Sequence, residues 1–189
     1  GVFAEEIVAL AGATEDDSIL LETVPEYFAK SKAAYGGVVT GANAHGFVDA
    51  GAAVLLAGDA AAAKGRAPLG RFVSWAVAGV APGKMAFASV PAIQAVLKKA
   101  GWKLDDVDLF EVNETFAAQL LVVKKELNLP EAKLNVNGGA VALGHPFGAT
   151  GARLVLTLLN ELKRRKLKKG IAAICVGGGQ GVAVAVETI

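Results

Sequence analysis

The sequence has one cysteine, one methionine and two histidines in 189 residues. A single thiol, Cys175, excludes any disulfide within the chain. It fits a reducing, intracellular setting such as the cytoplasm or an organelle matrix. No stretch approaches the ~18 uninterrupted apolar residues that a membrane-spanning helix needs. Charge of one sign is not in excess either: 19 Lys and Arg face 18 Asp and Glu, for a net charge of +1. No global field therefore draws the chain to nucleic acid. No signal peptide is visible, and Gly1 stands where a start Met would, so a piece of a longer polypeptide is expected. What is abundant is apolar: 53% of residues are hydrophobic and 20% charged, with Ala and Val dominating. Such a chain is long and apolar enough to bury a sizeable core and to fold.

Residues 1 to about 48 carry Gly12, Pro25, Gly36, Gly37, Gly41 and Gly46 and read as irregular, with short elements and few core residues. The texture changes at Asp49. Ala52 to Ala57 (AAVLLA) is a short apolar run that predicts a buried strand. Asp59 to Lys64 is Ala-rich and closed by Gly65, as a short helix would be. Arg71 to Ala78, Leu109 to Val112, Ile171 to Val176 and Val182 to Val186 read as further strands. Helices are predicted from about Pro91 to Ala100, from Thr115 to Leu127 and from Thr150 to Lys166. The link between the last two strands is too short for a parallel crossover, so these two should be antiparallel. The alternation of strands and helices predicts an α/β fold with a mixed, mainly parallel five-stranded sheet flanked by helices. The basic run Lys163 to Lys169 reads as a solvated helix end that suits the helix dipole.

Three clusters carry potential chemistry. Asn137 to Gly151 (NGGAVALGHPFGATG) holds five glycines in fifteen residues, a loop that comes close to something. Pro146 biases His145 away from the helical region, and an imidazole held in one orientation can act as a base near neutrality. The bland alternative is a packed loop whose His caps a helix. A phosphate-binding P-loop does not fit, because His145 follows Gly144 where Lys is required. Cys175-Val176-Gly177-Gly178-Gly179 sets a thiol at the end of an apolar strand before backbone N–H groups with no side chains to shield them, as an oxyanion hole requires. Here the bland alternative is an inert buried Cys before a tight hairpin. In the third cluster, Glu111 to Gln119 (EVNETFAAQ), two carboxylates and an amide sit where a strand hands over to a helix, at the sheet end where α/β folds bind ligands. Its bland alternative is helix capping by Asn113 or Thr115. Together the clusters suit acyl chemistry through a thioester.

These segments resemble a known family. NGGAVALGHPFGATGAR resembles the histidine signature of the thiolases, CVGGGQG their C-terminal cysteine signature, and EVNETFAAQ their Asn-Glu-Ala-Phe segment, with Thr115 in place of the usual Ala. The resemblance implies a thiolase-like layered fold. Residues 1–68 would be the end of the loop domain running into the first strand and helix of the C-terminal domain, with a boundary near 48. Residues 69–189 would be the remainder of that domain. It further implies that His145 activates the nucleophilic cysteine and helps to bind the thioester oxygen. Cys175 would be the acid/base, Asn113 would hold a water of the first oxyanion hole, and Gly177 would donate its N–H to the second. Phe116, Ala44, His45 and Gly46 would contact the acyl and pantetheine groups of coenzyme A, the substrate. No metal or cofactor is implied.

Two departures bear on this reading. The family's nucleophilic cysteine lies in its N-terminal half, and Cys175 matches the other cysteine. The implied activity, thiolysis of 3-ketoacyl-CoA or the reverse Claisen condensation, therefore needs an N-terminal half or partner chain. Assembly as a dimer or tetramer is implied as well. The CoA-contacting segment is also altered. It reads Gly41-Ala42-Asn43-Ala44-His45-Gly46-Phe47-Val48-Asp49-Ala50, with His45 for a serine, and Met85 to Pro91 lacks the usual glycines. The alternative reading is a non-catalytic CoA-binding or oligomerisation subunit. A third is a self-contained thiol enzyme built on a Cys175–His145 pair.

Overall fold

Val, Ile and Ala at alternating positions form the centre of the molecule. The computed structural model describes residues 1–10, 12–19, 24–62 and 67–189. In chain order the regular elements are α1 (Pro25–Lys30), α2 (Asp59–Ala62), β1 (Arg71–Gly79), α3 (Ser89–Ala100), β2 (Leu109–Val112), α4 (Ala117–Leu127), α5 (Ala140–Leu143), α6 (Thr150–Arg165), β3 (Lys169–Val176) and β4 (Gln180–Glu187). The strands make one sheet in the order β1-β4-β3-β2. β2 and β3 pair in parallel, while β4 is antiparallel to both β3 and β1. The sheet is mixed, three of its strands run the same way, and the final hairpin reverses β4 between β3 and β1.

The sheet has four strands among the described residues, not the five expected. Ala52 to Ala57 lies outside any strand, with Leu55 83% and Leu56 68% exposed. A strand needs an edge to receive its N–H and C=O groups, and this run pairs with neither β1 nor β2. Val54 and Leu56 instead flank an apolar hollow of about 310 Å³ with Phe72, Leu154 and Val155. The expected Gly65 helix stop lies outside the described residues.

Side chains of a strand alternate between its faces; β3 and β4 bury residues on both, while the edge strand β1 leaves Phe72, Trp75 and Val77 exposed. Ile171 and Ala173 of β3 and Ala183 and Ala185 of β4 face a cluster with Val90, Ile93, Val96 and Leu97 of α3 and Val123 and Leu127 of α4. Ala172 and Val186 face Leu154, Val155, Leu158, Leu159 and Leu162, the apolar stripe of α6. Each large side chain fully buried in this way contributes about 1.5–3 kcal/mol. α6 ends at Lys166 in the left-handed region, with Lys163, Arg164 and Arg165 in its last turn, where positive charge suits the dipole. No helix of the described residues is long and apolar enough to cross a membrane.

Candidate active site

Because β2 and β3 are parallel neighbours, their carboxyl ends open at one edge of the sheet. Asn113 follows β2 directly, and its N–H donates to Ala173 O at 2.8 Å. Its side chain is 1% exposed, and neither Oδ1 nor Nδ2 has a hydrogen-bond partner. A buried amide left unpaired costs about 1–3 kcal/mol, so it is retained for a purpose more often than by accident.

Cys175 is the penultimate residue of β3 and is buried. Burial pushes its thiol above the ordinary value of 9.0, with Thr115 and its own backbone pulling the other way. At neutral pH it is a thiol. Its sulfur lies 3.2 Å from Thr115 Oγ1. Gly177 stands at the exposed turn that follows, with open space where a side chain would begin. Gly178 and Gly179 take the positive φ values of 85° and 88° that turn the chain into β4.

His145 sits between α5 and α6. Gly144 before it has φ 85°, and a Cβ there would meet Val48 at 2.5 Å, so only glycine fits. The His145 N–H donates to Gly46 O at 3.0 Å. Its ring Nδ1 lies 2.6 Å from Thr150 Oγ1, and that hydroxyl lies 3.0 Å from Pro146 O. A hydroxyl has one hydrogen. With that hydrogen given to Pro146, Thr150 accepts from Nδ1–H, and Nε2 is left with a free lone pair. Burial, with His45 and Arg153 close by, lowers the imidazole from 6.5 to about 4. His145 is therefore neutral, and its basic nitrogen is free, across the physiological range.

The 41–50 segment ties the two centres together. Ala44 bridges Phe116 as a single antiparallel pair, and the His45 N–H donates to Thr115 O at 3.4 Å. The His45 ring meets the His145 ring edge to face, with centroids 4.8 Å apart. Phe147 closes on both rings, at 4.8 Å from His145 and 6.1 Å from His45. Contacts thus run from Cys175 through Thr115 and His45 to His145. No direct hydrogen bond joins Cys175 to His145 among the described residues.

Neither Asn113 nor Thr115 caps α4. Its N-cap is Phe116, without a side-chain cap, and the Ala117 N–H donates to Asn43 O at 2.8 Å. His145 bonds the Thr150 side chain and caps no backbone of α6. The basic run is partly paired: Arg164 and Arg165 both bind the buried Glu161.

Sequence reasoning missed Asn135, and it marked the carboxylates of Glu111 and Glu114 without giving either a role. Asn135, in the left-handed region at φ 44°, clasps Val112 with Oδ1 from its N–H and Nδ2 to its O, both at 2.8 Å. Glu114 accepts from Asn135 Nδ2 at 3.1 Å and from the Val141 N–H at 3.0 Å. Its carboxylate fills the space a Cβ on Gly139 would need. Together they lock the β2 end to the glycine loop. The NGG beside the histidine loop was a visible hint; nothing local pointed to Asn135. Glu111 is also buried, 3.8 Å from Arg153, and burial outweighs that guanidinium and raises its carboxyl from 4.5 to about 8.

Comparison with known proteins places the chain in a family. Residues 66–188 match the family described as thiolase, C-terminal domain. An acetyl-CoA acetyltransferase of Shinella zoogloeoides is 51% identical over 154 residues, which cover 81% of this chain and 39% of that protein. One from Rhizobium meliloti (strain 1021) is 46% identical over 200 residues, covering 100% and 51%. The crystal structure of the Bacillus anthracis acetyl-CoA acetyltransferase superposes with a TM-score of 0.91 at 47% identity, over 93% of this chain and 45% of that one. Human mitochondrial 3-ketoacyl-CoA thiolase in complex with CoA gives 0.88 at 40%, over 94% and 46%. The chain spans about half the length, or less, of these relatives.

Proposed function

The chain belongs to the thiolase family, matching its C-terminal domain, and on that footing we propose that it forms the proton-transferring half of an acyltransferase acting on coenzyme A thioesters. Relatives bear the names acetyl-CoA acetyltransferase and 3-ketoacyl-CoA thiolase, which favours thiolysis of a 3-ketoacyl-CoA, or its reverse, as the reaction. The observation that carries the proposal is His145: neutral, fixed through Nδ1 by Thr150, and free at Nε2. That is the form a general base needs.

The nucleophile in this scheme is a cysteine of the half that the chain does not span. His145 takes its proton as the sulfur attacks the C3 carbonyl of the 3-ketoacyl-CoA. The C2–C3 bond breaks, the acyl group stays on the nucleophilic sulfur, and acetyl-CoA leaves as its enolate. Cys175, held as a thiol by burial, gives its proton to the enolate carbon and becomes a thiolate. It regains a proton from CoA as that thiol attacks the acyl-enzyme, and His145 returns its proton to the departing cysteine. The sum is one 3-ketoacyl-CoA and one CoA in, and two acyl-CoA molecules out. The unpaired Asn113 amide would hold a water beside His145 over the first oxyanion, and the Gly177 N–H would serve the second. Phe116, Ala44, His45 and Gly46 would border the pantetheine and acyl groups. Assembly as a dimer or tetramer, and a place in fatty-acid metabolism, belong to the same proposal.

The test is CoA-dependent cleavage of acetoacetyl-CoA by purified protein whose mass and N-terminus are measured in parallel. Activity in material that contains the second half, and its loss in His145→Ala, is the expected result. Inactive material that contains both halves and still binds CoA would favour the non-catalytic reading.

A further inference from the structure

Thr115 replaces the alanine usual in the segment that EVNETFAAQ resembles, and alanine has no group to offer the neighbouring sulfur. Its hydroxyl lies 3.2 Å from Cys175 Sγ. The residue is held from both sides: its N–H donates to Gln119 Oε1 at 3.1 Å, and its carbonyl accepts from the His45 N–H at 3.4 Å. Gln119 is itself 1% exposed. A β-branched side chain on a pinned backbone has few χ1 choices, and the one adopted sets the hydroxyl at the sulfur.

While the sulfur is a thiol, either atom can donate. Once the proton has left, only the hydroxyl can. A hydrogen bond made to the charged form favours that form. The influences on this thiol are its burial, Thr115 and its own backbone, with no charged side chain among them. Thr115 is therefore the side chain that offsets the burial.

We propose that Thr115 is a positioning residue for proton transfer at carbon: its hydroxyl orients the Cys175 sulfur and steadies the thiolate left when the proton goes. This rests on the reading of Cys175 as the acid/base. The consequence is a thiolate that forms more readily than burial alone would allow, so the proton moves on and off within one turnover.

The test is a thiolate-absorbance titration of the full protein with Thr115, Thr115→Val, Thr115→Ala and Thr115→Ser. From each curve the same titration of its Cys175→Ser counterpart is subtracted, so tyrosinate and other thiolates cancel. The midpoint should rise by about one pH unit in the valine and alanine variants, as expected for losing a hydrogen bond to a charged group. Serine should restore it. In turnover, Thr115→Val should lower kcat about tenfold with KM little changed. Coincident midpoints in Thr115 and Thr115→Val, or a serine variant displaced as far as valine, would overturn the proposal. Should valine prevent folding, alanine, the family's usual residue, carries the comparison. A shifted midpoint in protein that never cleaves acetoacetyl-CoA would count against the proposed function, whereas unshifted midpoints in active enzyme would count against Thr115 alone.

Discussion

The Nδ1 of His145 lies 2.6 Å from the hydroxyl of Thr150, which sits at the first position of α6 and passes its own hydrogen to Pro146 O at 3.0 Å. One threonine thus sets both the tautomer and the orientation of the imidazole. Thr150→Val keeps the shape and removes the acceptor. It should cost about 1–2 kcal/mol of transition-state stabilisation, or about tenfold in kcat/KM. Thr150→Ser should recover most of it. Steady-state kinetics on the three proteins decide the point.

His45 packs edge-on to His145 and helps, after burial, to hold it at about 4. Replacing His45 with serine removes that coulombic influence on the His145 ring. The His145 pKa should then rise toward 6.5. In the proposed role of base His145 would act only when neutral, so the acid limb of activity should move to higher pH. An unmoved limb in the pH–rate profile would show that His45 does not tune its neighbour.

Glu111 has a folded-state pKa raised from 4.5 to about 8, chiefly by burial. Between those values the folded chain holds a proton that the unfolded chain gives up. Stability from this group is therefore complete below about 4.5 and falls as pH rises toward 8. Glu111→Gln keeps a neutral group there and should flatten the decline. Denaturant unfolding at pH values across that window reads the slope.

Gly144 combines φ 85° with a Cβ position 2.5 Å from Val48. Gly144→Ala should cost about 1–3 kcal/mol from the backbone conformation alone, and displace the adjacent His145. Adding Val48→Ala relieves the clash but not the φ, so it should restore only part of the melting temperature.

Much of this was legible in the residues, for identifiable reasons. β2 was placed to the residue because Leu109 to Val112 lies between an acidic turn and a polar cluster. α6 was clear because Leu154, Val155, Leu158, Leu159 and Leu162 keep the helical period. His145 and Cys175 stood out through the glycines beside them. The 52–57 run misled because an apolar hexamer states a need for cover, not for a pairing edge, and here Leu55 and Leu56 stay exposed. The Thr150 and Asn135 bonds depend on loops meeting side chains five and 23 residues away, which no local pattern encodes. The place of His45 was visible as a departure from the family; that it faces His145 was not, because that contact joins residues a hundred positions apart.

The most direct measurement is the behaviour of Cys175→Ala in enzyme containing both halves. On the proposed function, exchange of an acetyl group between CoA molecules would need the nucleophile and His145 but would move no proton at carbon. Acetoacetyl-CoA cleavage needs that proton. Cys175→Ala is expected to keep acetyl exchange and to lose cleavage by several orders of magnitude. Cleavage at the wild-type rate without the Cys175 thiol would contradict the proposed role of Cys175.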